Sequence, residues 1–197
     1  FGIIASKDVI DSFEKGIINS HFSLLPEWRG ADPITFAILS GQKKTGVSLM
    51  LLVEAMDEGP ILTLGVQQLT GNETISSLTD SLIYLSDALL KETLPIYMSG
   101  NAKTIDQLKI SEQIPDHPST PTYSRKLTKE DGILDFTKPA ELLEREIRAF
   151  ADWPKSRTKL NNLDLLITKA HVVDEAGQPG SFEVRDNELI VCTASKA

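Results

Sequence analysis

Short apolar runs alternate with stretches of helical spacing over the first hundred residues of the chain. Apolar runs bounded by glycine and polar clusters predict four strands: residues 1–5, 17–21, 47–53 and 61–67. Apolar residues three and four apart predict helices among them: residues 6–13, 33–39 and 72–98. The longest helix carries one apolar stripe: Ile75, Leu78, Leu82, Leu85, Leu89 and Leu94. Strands that alternate with helices predict an α/β sheet in this part of the chain.

The pattern changes after residue 100. Three prolines between residues 114 and 121 favour an extended backbone, so we expect residues 101–121 to link a domain at 1–100 to a second domain at 122–197. His117 lies in this segment, and we interpret it as a solvated loop histidine. In the second domain a helix begins near Thr137 or Pro139. Short strands separated by turn signals follow it: residues 158–160, 163–168, 171–173, 181–184 and 188–194. Such strands predict a small β-barrel.

Composition and charge narrow the class of protein. The 197 residues are 41% apolar and 24% charged, which is typical of a globular protein and not of a disordered chain. No apolar run reaches the ~20 residues that a membrane-spanning helix needs. The single cysteine, Cys192, cannot form an internal disulfide and favours a reducing cytoplasm.

The negative charge is unevenly distributed along the sequence. The net charge of −8 argues against nucleic-acid binding over the whole surface, and residues 1–100 carry six basic and twelve acidic side chains. Residues 122–160 carry nine basic and seven acidic side chains, a balance that tolerates a phosphate backbone. A merely mixed surface explains the same charges equally well.

One polar pair at the end of a predicted strand is the best candidate for chemistry. Asn19 and His21 are two residues apart, so they share one face of the strand while Ser20 takes the other. Asp57 follows the next buried strand in a turn and can orient the imidazole. In a parallel sheet both groups would lie at the carboxyl ends of the strands, where ligands bind. The alternative is that His21 is a satisfied core histidine and Asp57 a surface acid.

Other kinds of site have little support in the sequence. The three histidines, His21, His117 and His171, are far apart and lack the spacing of metal ligands, so we expect no metal. A glycine-rich phosphate loop is absent, and neither a serine nor Cys192 has the signature of a nucleophile with a dedicated base.

The stretch Asn19-Ser-His-Phe-Ser-Leu-Leu-Pro-Glu-Trp-Arg-Gly30 resembles the signature of enzymes that transfer a formyl group from 10-formyltetrahydrofolate. The turn Met-Asp57-Glu-Gly-Pro is similar to the catalytic aspartate turn of that family. The second half of the chain resembles the C-terminal domain of the methionyl-tRNA formyltransferase family, in residues 123–136 and in Ile-Arg-Ala-Phe-Ala-Asp-Trp-Pro at 147–154.

This resemblance implies a partial Rossmann-like formyltransferase domain followed by an OB-like tRNA-binding domain. It also implies that the chain is a fragment, without the N-terminal part of the Rossmann domain and the extreme C-terminus. A departure from the family pattern follows Trp153-Pro154, where Lys155, Arg157 and Lys159 alternate. We expect them to form either a basic strip for tRNA phosphates or a solvated face.

The implied reaction is formyl transfer from 10-formyltetrahydrofolate, the co-substrate, to the α-amine of methionyl-initiator-tRNA. Asn19 and His21 would donate hydrogen bonds to the oxyanion, and Asp57 would orient the imidazole and help to remove the amine proton. The residues expected to line the folate pocket come shortly after His21 in the sequence: Ser23, Leu24, Leu25 and Pro26. Leu24 and Leu25 could equally pack inward. Arg29 would stabilise the loop through a carboxylate and is left out of the catalytic set.

The resemblance also implies partners and leaves alternatives open. The C-terminal domain would bind initiator tRNA, no membrane would be involved, and the full-length protein would be a cytoplasmic monomer in a bacterium or an organelle of bacterial descent. An amino-sugar nucleotide could replace tRNA as acceptor, or the enzyme could hydrolyse 10-formyltetrahydrofolate. A non-catalytic RNA-binding remnant is the alternative of another class.

Overall fold

The computed structural model describes residues 5–114 and 116–195, so the strand predicted at residues 1–5 lies almost entirely outside the described residues. The chain divides into two compact units. The first comprises Phe1–Ala37, Gln42–Asn72 and Ser77–Lys126, and the second comprises Ile38–Gly41, Glu73–Ser76 and Leu127–Ala197. The helices are α1 (Lys7–Asp11), α2 (Pro33–Ser40), α3 (Ile75–Met98) and α4 (Ala140–Ala149). The strands are β1 (Ile18–His21), β2 (Arg29–Gly30), β3 (Lys44–Leu51), β4 (Ile61–Gln68), β5 (Tyr123–Ser124), β6 (Ser156–Leu160), β7 (Leu163–Ile167), β8 (Phe182–Arg185) and β9 (Glu188–Val191).

A three-stranded sheet in the order β1, β3, β4 forms the centre of the first unit, and both neighbouring pairs are antiparallel. The parallel arrangement expected from the sequence is therefore wrong for these strands. β3 and β4 are joined by residues 52–60 alone, whereas a parallel pair needs a crossover of about a dozen residues or more. The central strand β3 is buried over most of its length, and its Val47, Leu49 and Met50 side chains are fully buried.

The long predicted helix is confirmed as α3, but its apolar stripe is shorter than expected. Leu78 and Leu82 are buried, whereas Leu94 is 40% exposed and lies next to Pro95 inside the helix. The helix packs on β4 at Gly65, where an added Cβ atom would lie only 2.8 Å from a Leu85 side-chain carbon. A small residue at this position thus allows close contact between helix and sheet.

Residues 101–121, expected to be an extended linker, pack on the first unit along much of their length. Ile105 forms a bridge with Ile61, and a 3₁₀ helix follows at Gln107–Glu112. Ile110 is fully buried in an apolar cluster with Leu25, Met50 and Ile61.

His117 in the same segment is not solvated, so that prediction is wrong. The residue is 7% exposed, and its Nε2 atom lies 2.7 Å from the Leu25 carbonyl oxygen. A carbonyl can only accept, so Nε2 carries the hydrogen. Burial lowers the pKa of His117, although this hydrogen bond acts in the opposite direction.

The second unit combines α4 with two β-hairpins. Leu143 and Ile147 of α4 form a buried cluster with Leu134, and Arg145 donates a hydrogen bond to the Leu39 carbonyl at 3.0 Å. The hairpins turn at pairs of residues with positive φ, Asn161-Asn162 and Asp186-Asn187, as two-residue hairpin loops require.

The closed barrel predicted for the second unit is not found among the described residues. β6 pairs with β7 and β8 with β9, each as a separate antiparallel sheet, and residues 171–173 are not a strand. Strands of four or five residues in two hairpins are too few to close on themselves, because even the small OB-fold barrel uses five strands.

Candidate active site

β1 carries the predicted polar pair. Asn19 is opposite Met50 of β3, and His21 is opposite Ser48. The Ser20 hydroxyl lies 2.6 Å from that of Ser86 in α3, so Ser20 points to the other face of the sheet. The half-buried Asn19 side chain has no hydrogen bond within the described part of the chain, and its amide can therefore bind a ligand.

The chain after β1 forms a fixed loop that ends at β2. The buried Ser48 hydroxyl donates to the Ser23 carbonyl at 2.8 Å and accepts from the Leu25 amide at 3.0 Å. Trp28 adopts a left-handed backbone with φ 54°, and Thr122 holds it by accepting from its amide at 2.9 Å. These contacts define the backbone of the loop directly behind His21.

The four residues predicted to line a folate pocket lie in this loop. Ser23 and Leu25 have no exposed surface, Leu24 is 1% exposed, and Pro26 is fully buried. The structure thus places both leucine side chains inward, as the second interpretation of the sequence expected. The folate contact of these residues stays a prediction, and with the side chains buried it would be made by backbone atoms.

His21 and Asp57 lie side by side, and both are largely buried. The His21 Nδ1 atom is 3.8 Å from Asp57 Oδ1, beyond hydrogen-bond distance but within reach of a strong electrostatic interaction. Asp57 Oδ2 accepts a hydrogen bond from the Gly30 amide at 2.7 Å. The loop between β3 and β4 therefore brings the carboxylate to His21, although the strands are antiparallel.

The His21 ring has a defined hydrogen position. Its Nε2 atom lies 3.0 Å from the Trp28 carbonyl oxygen and must donate to it, so the neutral ring has a lone pair at Nδ1. Burial lowers the pKa of His21, while Asp57 and the Trp28 carbonyl act to raise it. The balance keeps the imidazole neutral and able to accept a proton at Nδ1 near neutral pH.

Sequence reasoning missed Gln107, which contacts the Asp57 turn. Its side-chain amide donates to the carbonyls of Asp57 and Gly59 at 2.8 and 2.7 Å, and its oxygen accepts from Arg29. Arg29 also pairs with Glu58 at 3.0 Å, the carboxylate contact that the sequence analysis expected. The sequence offers little to mark Gln107, which stands as a single amide residue between the apolar residues Ile105 and Ile110.

The predicted basic strip is only partly regular. Lys155 precedes β6 and has a left-handed backbone with φ 68°, so it does not share the strand alternation of Arg157 and Lys159. Arg157 donates to the Lys129 carbonyl at 2.7 Å, and Lys159 forms an exposed pair with Asp164 at 3.7 Å. Lys155 and Lys159 remain accessible cations of the second unit.

Two further properties concern the described residues as a set. No group of three or more histidine, cysteine or acidic side chains among them is arranged to hold a metal ion. None of their helices combines the length and the apolar character needed to cross a bilayer.

Two family models match the chain, one described as formyl transferase over residues 1–94 and one as formyl transferase, C-terminal domain, over residues 126–197. Together these matches cover most of the sequence, and the chain belongs to the formyltransferase family. The methionyl-tRNA formyltransferase of Myxococcus xanthus is 40% identical over 182 residues, which are 92% of this chain and 55% of that protein. The one of Bacillus pumilus is 36% identical over 201 residues, covering 100% of this chain and 60% of that protein. The chain thus spans little more than half the length of these curated relatives.

Solved structures show the same fold. An N-formyltransferase from Helicobacter canadensis, in complex with folinic acid and dTDP-3-aminofucose, matches with a TM-score of 0.76 at 20% identity, covering 100% of this chain and 68% of that one. HypX from Aquifex aeolicus, in complex with tetrahydrofolic acid, matches with a TM-score of 0.66 at 19% identity, covering 90% of this chain and 30% of that one. The chain has the formyltransferase fold, a Rossmann-like N-terminal part followed by a C-terminal domain.

Proposed function

We propose that the chain carries the catalytic residues of a methionyl-tRNA formyltransferase, which transfers the formyl group of 10-formyltetrahydrofolate to the α-amine of methionyl-initiator-tRNA. The observation that carries this proposal is the buried His21–Asp57 pair, with the uncommitted amide of Asn19 on the same strand. A lone pair next to a carboxylate can remove a proton, and a free amide can stabilise an oxyanion.

The reaction forms a bond between the amine nitrogen and the formyl carbon and breaks the bond from that carbon to N10 of the folate. The amine loses a proton, N10 gains one, and the carbonyl oxygen is negative in the tetrahedral intermediate. Asn19 would donate a hydrogen bond to this oxygen, and such a donor contributes about 3–4 kcal/mol to transition-state stabilisation.

His21 would transfer the proton. Its Nδ1 lone pair takes the proton from the attacking amine, and the resulting N–H then donates to the oxyanion or returns the proton to N10. Asp57 stabilises the positive charge that the ring gains, and can share the proton directly or through a water molecule. Proton transfer by a positioned side chain contributes about 10²–10⁴-fold to the rate.

The folate and tRNA would bind to different parts of the chain. We propose that backbone groups of Ser23–Pro26 face the folate, since Ser48 fixes this loop next to His21. The names of the relatives support tRNA as the acceptor, and Lys155 and Lys159 offer cations for its phosphates. We further infer that the complete protein acts in the cytoplasm, where initiator tRNA is charged.

The test compares acceptors with one formyl donor. The full-length protein is incubated with 10-formyltetrahydrofolate and either methionyl-initiator-tRNA or an amino-sugar nucleotide. The His21→Ala variant is the inactive control. We expect formyl-methionyl-tRNA from the unsubstituted protein only. Transfer to the sugar alone would replace the acceptor, release of formate without transfer would indicate a hydrolase, and RNA binding without any turnover would contradict the enzymatic proposal.

A further inference from the structure

The side chain of Gln107, from a segment distant in sequence, forms hydrogen bonds with the backbone of the turn that carries Asp57. Gln107 is 2% exposed and donates from Nε2 to the carbonyl oxygens of Asp57 and Gly59, at 2.8 and 2.7 Å. Both hydrogens of the amide are therefore donated to backbone carbonyls, one on each side of Glu58.

The other end of the same amide is equally occupied. Gln107 Oε1 accepts from Arg29 Nε at 3.2 Å and from Arg29 Nη2 at 2.8 Å. An amide oxygen has two lone pairs, so all four hydrogen-bonding positions of Gln107 are used. Since Arg29 can only donate and the two carbonyls can only accept, the orientation of the amide is fixed by its partners.

The hydrogen bonds of Gln107 fall on a turn whose backbone is left-handed at Asp57. Asp57 has a positive φ of 54°, a left-handed conformation that costs some free energy even for aspartate, one of the residues that tolerate it best. Gly59 of the same turn lies against the end of β3 so closely that an added Cβ atom would be 1.7 Å from the Leu51 carbonyl oxygen. In this conformation the carboxylate reaches both the Gly30 amide and His21.

We propose that Gln107 is a positioning residue, which holds the Asp57 carboxylate next to His21 through the backbone of the turn. This proposal rests on the function proposed above. It adds to the active site a residue that touches neither substrate, and it assigns a task to a segment that the sequence predicts as a linker. Misplacing a catalytic group by about 1 Å can cost roughly 10²-fold in rate, so a residue of this kind affects turnover without binding substrate.

The test uses variants that distinguish the hydrogen bonds donated by the Gln107 amide nitrogen from those accepted by its oxygen. Gln107→Leu removes all four hydrogen bonds, whereas Gln107→Glu can still accept from Arg29 but cannot donate to the turn. Gln113→Leu and Gln113→Glu are the matched controls, because Gln113 is exposed at the end of the same 3₁₀ helix. Kinetics and an NMR titration of His21 are measured on each variant, with Asp57→Asn as the reference for complete loss of the charge.

Both Gln107 variants are expected to lower kcat at least about tenfold, with KM for 10-formyltetrahydrofolate within about threefold. The pKa of His21 should fall in Gln107→Leu by about half or more of its fall in Asp57→Asn, since a displaced carboxylate no longer stabilises the imidazolium. The Gln113 variants should match the unsubstituted protein.

A folded Gln107→Leu protein with an unchanged pKa of His21 would overturn the positioning role, even if its thermal stability were lower. If instead Asp57→Asn retains full activity while the titration shifts as expected, the catalytic role of Asp57 fails and the positioning by Gln107 stands.

Discussion

At the scale of single residues, burial and hydrogen bonding decide which side chains can take part in chemistry. His21 is buried with one nitrogen bound to a carbonyl and the other facing Asp57, whereas Asn19 keeps an amide without a partner among the described residues. His117 is equally buried and likewise donates its Nε2 hydrogen to a carbonyl, that of Leu25, so it supports the loop beside the site. The two histidines thus share their burial and their Nε2 hydrogen bond, and His21 is distinguished by the Asp57 carboxylate beside its Nδ1 atom.

The lowered pKa of His117 predicts a pH dependence of stability. Its ordinary value is 6.5, so the folded state binds fewer protons than the unfolded state just below that pH. Stability should be complete above pH 6.5 and decrease as the pH falls toward the lowered pKa. His117→Gln should therefore lose less unfolding free energy than the unsubstituted protein between pH 7.5 and about 5.5.

Urea unfolding at a series of pH values measures this difference. The His21 contribution has the same sign and is present in both proteins, so it cancels in the comparison. His171→Gln is the control, because His171 is exposed. Equal pH dependence of the His117→Gln protein and the unsubstituted protein would mean that His117 is not the buried titrating group.

At the scale of elements, the loop between β1 and β2 depends on its contact with β3. Ser48 of β3 bridges the Ser23 carbonyl and the Leu25 amide, so the sheet itself sets the path of the loop. The turn between β3 and β4 then returns the carboxylate of Asp57 to the loop at Gly30.

Ser48→Ala should destabilise the protein by about 1–3 kcal/mol, because it leaves a buried amide and a buried carbonyl without a partner. It should also raise KM for 10-formyltetrahydrofolate, since the loop would lose its anchor. The measurement is urea unfolding together with steady-state kinetics, and Ser119→Ala at an exposed position is the control. An unfolding free energy equal to that of the control would show that the loop does not need Ser48.

The sequence predicts these elements better than their arrangement. β3, β4 and α3 follow from local apolar patterns, and the position of Asn19 and His21 on one face of β1 follows from the period of a strand. Strand direction and the role of Gln107 depend on contacts between distant residues, which no local pattern contains. The three prolines suggested a linker, yet Ile110 and His117 of that segment are buried by tertiary contacts.

At the scale of the whole molecule, the two units would have different functions, catalysis in the first and tRNA binding in the second. The described residues of the first unit contain the site around His21, and the second unit contains the cations proposed for tRNA. Val184 and Leu163 of its two hairpins are 71% and 66% exposed, so these hairpins present apolar as well as charged surface.

Lys155→Gln combined with Lys159→Gln should raise KM for methionyl-tRNA and leave KM for 10-formyltetrahydrofolate unchanged, because phosphate contacts act on the acceptor alone. The salt dependence of tRNA binding should weaken by about one unit of slope for each lost contact. Lys109→Gln, in the first unit and exposed, is the control. An unchanged KM for tRNA in the double variant would assign these lysines to a solvated face.

We propose that Asp57 and His21 act together in formyl transfer, and single-turnover kinetics of Asp57→Asn measure the contribution of the carboxylate. Asp116→Asn is a matched control, since Asp116 is an exposed aspartate with a similar positive φ of 61°. We expect the rate of formyl transfer to methionyl-initiator-tRNA to be about 10²–10⁴-fold lower for Asp57→Asn and unchanged for Asp116→Asn. A folded Asp57→Asn protein that transfers the formyl group at the unsubstituted rate would contradict it.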